Sequence, residues 1–259
     1  MTGLLEGKVA LVVGVANDRS IAWAISEQMR AHGAQIALTY ASDALRRRVE
    51  PLAARVGASF VQACDVTNDT EIEALFARAE SELRRIDVLV HAVAYADQAD
   101  LRGGFSGTSR AGFHLAMDVS VYSLVALARA ATPSMDDGGS IMTLSYYGGE
   151  KVAPGYRVMG PAKAALESSA RYLAAELGPR GIRVNVLSPG PIRTLAAAGV
   201  PGFKDAHAQF AGSAPLRRHI DIDDVGNTAV WLASDMSRNV TGQTLFVDGG
   251  HNILLPGVE

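Results

Sequence analysis

The chain has little cysteine, little net charge and no long apolar run, and each shortage excludes a class of protein. Cys64 is the only cysteine among 259 residues, so an intramolecular disulfide and a cysteine-rich metal site are excluded. The formal net charge of -3 gives no reason to expect nucleic acid or an anionic membrane as a partner. No uninterrupted apolar run approaches the roughly 18–20 residues that span a bilayer. The N-terminal stretch MTGLLEGKVALVVGV does not read as a signal peptide, so we expect a soluble, cytoplasmic protein.

Patterns for metal binding and for hydrolysis are also missing. The six histidines show no metal-ligand spacing: His32, His91, His114, His207, His219 and His251. Ser145 and Ser188 lack a nearby histidine and acid pattern for a hydrolase triad. We therefore expect neither a metal site nor a serine hydrolase.

Apolar runs of strand length alternate with segments of helical period along the whole chain. The candidate strands are 9–15, 35–40, 59–66, 87–93, 140–146, 184–190 and 244–250. Strands with little polar alternation, separated by helices, predict a parallel sheet covered on both faces. Because crossovers are right-handed, this is a doubly wound α/β Rossmann fold with seven strands. No linker or repeat divides the chain, so residues 1–259 are interpreted as a single dinucleotide-binding catalytic domain.

Between these strands the sequence predicts helices over 21–33, 44–57, 69–85 and about 110–135. Pro51 should make the second of these start late or kink. The segment 191–215 is rich in alanine, glycine and proline, which favours a loop with short helices. It would lie over the carboxyl ends of the strands, where ligands bind in such sheets, so it is a candidate substrate-binding lid.

The loop GVANDRSIA (14–22), after the first strand, is where a dinucleotide fold binds pyrophosphate. The G-x-G-x-x-G pattern is missing, and only Gly14 remains of it. Ser20 stands where a helix N-cap belongs and could also offer its hydroxyl to a phosphate. On this stretch alone, a dinucleotide site and an ordinary capped turn are equally good interpretations.

Three further strand ends leave the cofactor interpretation open. Asp65 follows the third strand, where its carboxylate could accept a hydrogen bond from adenine or cap the next helix. The small residues of HAVAYA (91–96) would admit a cofactor close to the backbone, or simply pack tightly. After the second strand Asp43 comes slightly late to hold a ribose hydroxyl, and the arginines 46–48 could contact a 2′-phosphate or form a solvated face. These residues therefore do not distinguish NADH from NADPH as the cofactor.

Tyr146, Tyr156 and Lys163 are the candidate catalytic residues. Tyr156 and Lys163 stand seven positions apart, whereas common nicotinamide-dependent reductases place the two residues four apart. A lysine ammonium would lower the phenol pKa and could bond the nicotinamide ribose. The phenol could donate a hydrogen bond to a substrate carbonyl. Seven residues of helix would put both on nearly the same face, but Pro161 favours a helix that starts after Tyr156. Taken alone, such a pair can arise by chance.

With these residues in view, the chain resembles the NADH-dependent enoyl-acyl-carrier-protein reductases of bacterial fatty-acid synthesis, a divergent branch of the short-chain dehydrogenases. The resemblance covers nearly the whole chain. It is most specific in GVANDRSIAWAI, LTYASDALRRRVE, CDV, LSYYGGEKVAPGYRVMGPAKAALESSARYLAAELGPRGIRVN, GPIRTLAAAGV and DVGN. Met159 stands where the wider superfamily has its catalytic tyrosine, which indicates reduction of C=C rather than C=O.

The resemblance implies hydride transfer from NADH, with NADPH not excluded, to the β-carbon of a trans-2-enoyl thioester carried by acyl carrier protein. Tyr156 would donate a hydrogen bond to the thioester carbonyl, and Lys163 would hydrogen-bond the ribose hydroxyls. Tyr146 would line the acyl pocket. Ala96 would contact the substrate. The implied cofactor contacts are Gly14, Ser20, Ile21, Asp65, Val66, Val93, Lys163, Ile192, Arg193, Thr194, Leu195 and Ala196. The resemblance also implies a homotetramer.

Several positions depart from the family pattern. Ala92 and Ala94 replace a serine and a glycine, and Ala41 stands where a glutamine is common. The lid has one lysine, Lys204, beside Asp205, where relatives carry several basic residues for docking an acidic carrier. These departures, together with Pro189, keep two alternatives open. One is a short-chain dehydrogenase acting on a carbonyl or alcohol, and the other is a cofactor-binding regulator without catalysis.

Overall fold

A computed structural model describes residues 3–254 of the chain. Seven parallel strands form one sheet in the order β3-β2-β1-β4-β5-β6-β7, which confirms the doubly wound Rossmann fold. The strands are β1 (Val9–Val13), β2 (Gln35–Tyr40), β3 (Val61–Ala63), β4 (Val88–His91), β5 (Gly139–Leu144), β6 (Ile182–Pro189) and β7 (Thr244–Val247). The strand order reverses at β1, since Leu11 lies between Ala37 of β2 and Leu89 of β4. A crevice at the carboxyl ends of these strands is where such sheets bind ligands.

Nine α-helices are found in the described part of the chain. They are α1 (Ile21–Ala31), α2 (Asp43–Arg55), α3 (Asp69–Leu83), α4 (Gln98–Arg102), α5 (Arg110–Met117), α6 (Ser123–Ala131), α7 (Met159–Leu177), α8 (Phe203–Ser213) and α9 (Ile222–Ala233). The expectation that Pro51 delays α2 is wrong, because α2 begins at Asp43 and contains Pro51. Pro51 and Arg47 are both exposed, so the carbonyl that proline leaves unbonded faces water.

Alternate residues of each strand face two separate cores. On β1, Ala10 and Val12 pack into a core with α1, α2 and α9, while Leu11 and Val13 pack into a core with α3, α6 and α7. This period of two puts helices on both faces of the sheet, as a nearly continuous apolar run predicts. The two cores hold the strand ends rigidly, and the candidate site residues project from those ends.

The segment Arg110–Ser134 is a continuous helical stretch in which a π-helical turn, 118–122, separates α5 from α6. By length and composition this is the one helical stretch within residues 3–254 that could cross a membrane, although 56% of its most apolar window is buried inside the protein. Counting uninterrupted apolar runs missed it, because polar residues such as Ser120 and Ser123 interrupt the run. Both of these are fully buried.

Candidate active site

Tyr146 and Tyr156 meet at the carboxyl end of β5. Tyr146 follows β5 by two residues in an extended conformation, and Tyr156 precedes the start of α7 at Met159. Their rings lie edge to face, with centroids 4.9 Å apart and planes at 65°. Since Tyr156 lies just outside the helix, the prediction from Pro161 is correct, and a seven-residue helical spacing does not describe this pair. The contact joins the two phenols into one surface.

Gly148 permits this contact. A Cβ at Gly148 would lie 2.6 Å from Cδ1 of Tyr156, closer than Cβ atoms approach other atoms, and 3.2 Å from Cδ1 of Tyr146, which is a tight contact. The turn that follows β5 can therefore bring the two rings together only without a side chain here.

Lys163 lies in the first turns of α7 and is 5% exposed. Its Nζ donates a hydrogen bond of 2.7 Å to the carbonyl oxygen of Leu144, the last residue of β5. Burial lowers the pKa of Lys163 to about 8, and the nearby carboxyl of Glu167 opposes that shift. The ammonium is therefore held at the same strand end as the two tyrosines.

The phenol of Tyr156 has a raised pKa, contrary to the expectation that a lysine would lower it. Burial is the main cause, and the neighbouring Tyr146 and Glu167 add to it. Burial also raises the pKa of Tyr146. Both hydroxyls therefore keep their protons near neutral pH and can act as hydrogen-bond donors.

The family described as Enoyl-(Acyl carrier protein) reductase matches residues 14–252, nearly the whole chain. The chain belongs to this enoyl-acyl-carrier-protein reductase family. It is 51% identical over 97% of its length to an NADH enoyl-acyl-carrier-protein reductase of Rhizobium meliloti, of which it covers 92%.

Solved structures of enoyl-acyl-carrier-protein reductases agree closely. The enzyme from Anaplasma phagocytophilum, in complex with NAD, has a TM-score of 0.95 at 44% identity, with 100% of this chain and 98% of that chain covered. The enzyme from Bacillus cereus, with NADP+ and an indole naphthyridinone, has a TM-score of 0.96 at 48% identity, with 98% and 99% covered. Relatives of similar identity thus hold different nicotinamide cofactors.

Three of the expected cofactor contacts lie at the end of β1, at the N-cap of α1 and after β4. Gly14 has φ +103°, and a Cβ there would lie 2.5 Å from the Ala92 carbonyl oxygen and 3.0 Å from Cγ2 of Val93. Ser20 is the N-cap of α1, accepting from the amide of Trp23 at 3.3 Å. The structure thus brings Gly14 and Val93 together.

Of the three arginines that could contact a 2′-phosphate, Arg46 is already engaged. Arg46 donates from Nε to the Tyr40 hydroxyl at 3.0 Å and pairs with Asp43 at 2.9 Å. Asp65 is exposed, and its Oδ1 accepts from the amide and hydroxyl of Thr67. The interpretation of Asp65 as a helix cap is wrong, because Asn68 is the N-cap of α3. Val66, by contrast, is buried.

The segment after β6 begins near Tyr146, since Pro191 and Tyr146 line the same cavity. Ile192 is buried, whereas Arg193, Leu195 and Ala196 are exposed. Thr194 receives a hydrogen bond of 3.1 Å from the amide of Ala197, so its hydroxyl stabilises the following turn. On the opposite side, Ala96 packs against the same core as Tyr156.

A cavity of about 200 Å³ lies between Tyr146 and α8, and Tyr156 is not among its lining residues. Tyr146 and Tyr147 line one side, and Ala206 and Phe210 line the other. The fully buried hydroxyl of Ser188 also lines it, without a hydrogen-bond partner within residues 3–254. The same residues contain no cluster of three or more metal-ligand side chains.

Two residues beside Lys163 were not predicted from the sequence. Glu167 is 6% exposed and accepts a short hydrogen bond from the Ser145 hydroxyl, so Ser145 does have an acid nearby, contrary to expectation. His91, fully buried at the end of β4, bonds Thr143 through Nδ1 and Ser123 through Nε2, both at 2.7 Å. The only sequence signal was the four-residue separation of Glu167 from Lys163, which puts both on one helical face.

Proposed function

We propose that the protein is an NADH-dependent reductase of the C=C bond in trans-2-enoyl thioesters. The observation that carries this proposal is the contact between two protonated tyrosines at a strand end where Lys163 is also held. When bound, the nicotinamide supplies the hydride for the β-carbon of the thioester. The electrons of the C=C bond would then move onto the carbonyl oxygen, and a proton taken from solvent at the α-carbon would give the saturated thioester, leaving the nicotinamide oxidised.

Tyr156 donates a hydrogen bond to that carbonyl oxygen, where negative charge develops, and so stabilises the enolate. Tyr146 packs against Tyr156 and lines the acyl pocket with Ala96. Lys163 holds the ribose hydroxyls and so orients the nicotinamide. Burial keeps Tyr156 protonated, as its role as a donor requires, whereas Lys163 remains mostly charged near neutral pH although burial lowers its pKa to about 8.

The cofactor would lie along the carboxyl ends of β3, β2, β1, β4 and β6. The bare backbone at Gly14 and the N-terminus of α1 suit its pyrophosphate. We propose that it contacts Gly14, Ser20, Ile21, Asp65, Val66, Val93, Lys163, Ile192, Arg193, Thr194, Leu195 and Ala196.

We further propose that residues 191–215 form the lid of a single catalytic domain. A Cβ at Gly155 would lie 2.1 Å from the Pro201 carbonyl oxygen, and this close approach supports the proposal because it joins the segment to the turn that carries Tyr156. The proposed partner is acyl carrier protein bearing the thioester, the proposed assembly a homotetramer, and the proposed location the cytoplasm.

The test is oxidation of NADH and of NADPH with trans-2-enoyl thioesters, alongside a 3-ketoacyl thioester. Turnover of the enoyl substrate alone is expected. Turnover of the keto substrate alone would instead support the carbonyl-reductase alternative. Met159 disfavours that alternative, because this buried thioether has no proton to donate to a carbonyl. Tight NADH binding without turnover of any thioester would support a regulator.

A further inference from the structure

Helix α7 holds the end of β5 at two successive residues. Lys163 donates to the carbonyl of Leu144, and one helical turn later Glu167 accepts from the hydroxyl of Ser145. Both helix side chains are buried, at 5% and 6% exposure. Tyr146 is the next residue along the chain, so these two hydrogen bonds fix the point from which it projects.

The carboxylate of Glu167 is enclosed by the chain it holds. The amide of Ser145 donates to the Leu187 carbonyl of β6 at 2.8 Å, so the strand end is also fixed from the other side. A Cβ at Gly149 would lie 3.1 Å from Oε1 of Glu167, so the turn after Tyr146 closes over the carboxylate. Glu167 therefore forms part of the structure that holds Tyr146 in place.

Glu167 is also the anionic group whose charge acts on Lys163. It raises the pKa of Lys163 against the effect of burial. Burial raises the pKa of Glu167 itself, while the Ser145 hydrogen bond, Arg171 and Lys163 oppose that shift and Glu150 adds to it. His91, which faces Lys163 from β4, is neutral because burial and Lys163 lower its pKa to about 3. His91 therefore carries no positive charge that would offset the effect of Glu167 on Lys163.

We infer that Glu167 is a positioning residue of the reductase, acting through two neighbours. Its hydrogen bond with Ser145 sets the direction of Tyr146, and its negative charge keeps Lys163 protonated so that Lys163 can hold the ribose. The inference rests on the proposed function.

Two variants separate these actions. Glu167→Gln keeps an acceptor for Ser145 but removes the charge, so the alkaline limb of kcat/KM for NADH should move about one pH unit lower. Ser145→Ala keeps the charge but removes the hydrogen bond, so kcat should fall about tenfold with the midpoint of that limb unchanged. Glu167→Asp should restore the wild-type midpoint. Glu80→Gln, an exposed change on α3, is the control and should match wild type.

A wild-type pH profile in Glu167→Gln would overturn the electrostatic role, and a wild-type kcat in Ser145→Ala would overturn the positioning role. Binding of NADH, measured by the change in its fluorescence between pH 6.5 and 9, tests the effect of the Glu167 charge without turnover. Affinity for NADH should fall with rising pH in both proteins, with the midpoint about one pH unit lower in Glu167→Gln than in wild type. Wild-type protein that binds NADH but reduces no enoyl thioester would contradict the proposed function, while the binding comparison would still decide the role of Glu167.

Discussion

Gly155 lies directly against Pro201, and this contact joins the turn that carries Tyr156 to the segment 191–215. A Cβ at Gly155 would lie 2.1 Å from the Pro201 carbonyl oxygen, and Gly155 has φ +82°. Gly155→Ala should therefore displace one segment from the other and raise KM for the enoyl thioester severalfold, with about 1–3 kcal/mol lost from the free energy of unfolding.

Gly202→Ala is the matched control for this change. Gly202 has a similar φ of +78°, but nothing lies within 4 Å of a Cβ there. It should therefore show only the backbone cost, of about 1 kcal/mol. Steady-state kinetics and urea unfolding measure both effects, and equal KM values for the two variants would argue against a coupled lid.

Removing the Tyr156 hydroxyl should be more harmful than removing the Tyr146 hydroxyl. Tyr156→Phe loses the donor to the developing enolate, so kcat should fall about 10²–10³-fold. Tyr146→Phe retains the ring contact with Tyr156, so a fall of about tenfold or less is expected. Tyr172→Phe, at a residue 78% exposed on α7, should match wild type. Full activity in Tyr156→Phe would refute its role.

Wild-type protein should favour NADH, because Asp43 pairs with Arg46, one of the three arginines that could contact a 2′-phosphate. A phosphate dianion would have to displace that carboxylate from Arg46, or lie beside it. Asp43→Asn should therefore raise the ratio of kcat/KM for NADPH to that for NADH about three- to tenfold, a modest change because the pair is exposed. Asp137→Asn, on an exposed turn, is the control. An unchanged ratio would leave the preference without this cause.

His91 should make the fold less stable in mild acid. Its pKa is about 3 in the folded protein and about 6.5 when unfolded, so only the unfolded chain takes up a proton between these values. Stability should therefore fall as pH drops below 6.5, by up to about 1.4 kcal/mol per pH unit from this group. Urea unfolding of wild type, His91→Gln and exposed His114→Gln measures the slope, which only His91→Gln should reduce.

Local pattern was enough to predict the sheet, because seven apolar runs became seven strands. The limits of those runs were less reliable. The run 59–66 gave a strand of only Val61–Ala63, since pairing with β2 alone leaves β3 at the sheet edge. The placement of Tyr156 before α7 was also predictable, because Pro161 constrains where a helix can begin.

The electrostatics of the site were not predictable in this way. Whether Tyr156 has a raised or lowered pKa depends on how deeply the turn 147–156 buries it, and no sequence spacing encodes that depth. Glu167 reaches Ser145 across 22 residues, so their contact depends on how α7 rotates against the sheet. The seven-residue separation from Tyr156 to Lys163 likewise reflects the turn that places Tyr156 before the start of α7.

The sheet order has a consequence for how activity develops during folding. Gly14, Tyr146 and Ile192 follow different strands, β1, β5 and β6, and each strand reaches its neighbours through a long crossover. Such non-local pairings form slowly, and a chain with only some strands paired would have no complete site. Regained turnover after dilution from denaturant should therefore lag behind regained helical circular dichroism. Turnover would therefore begin only after the last of these strands has paired.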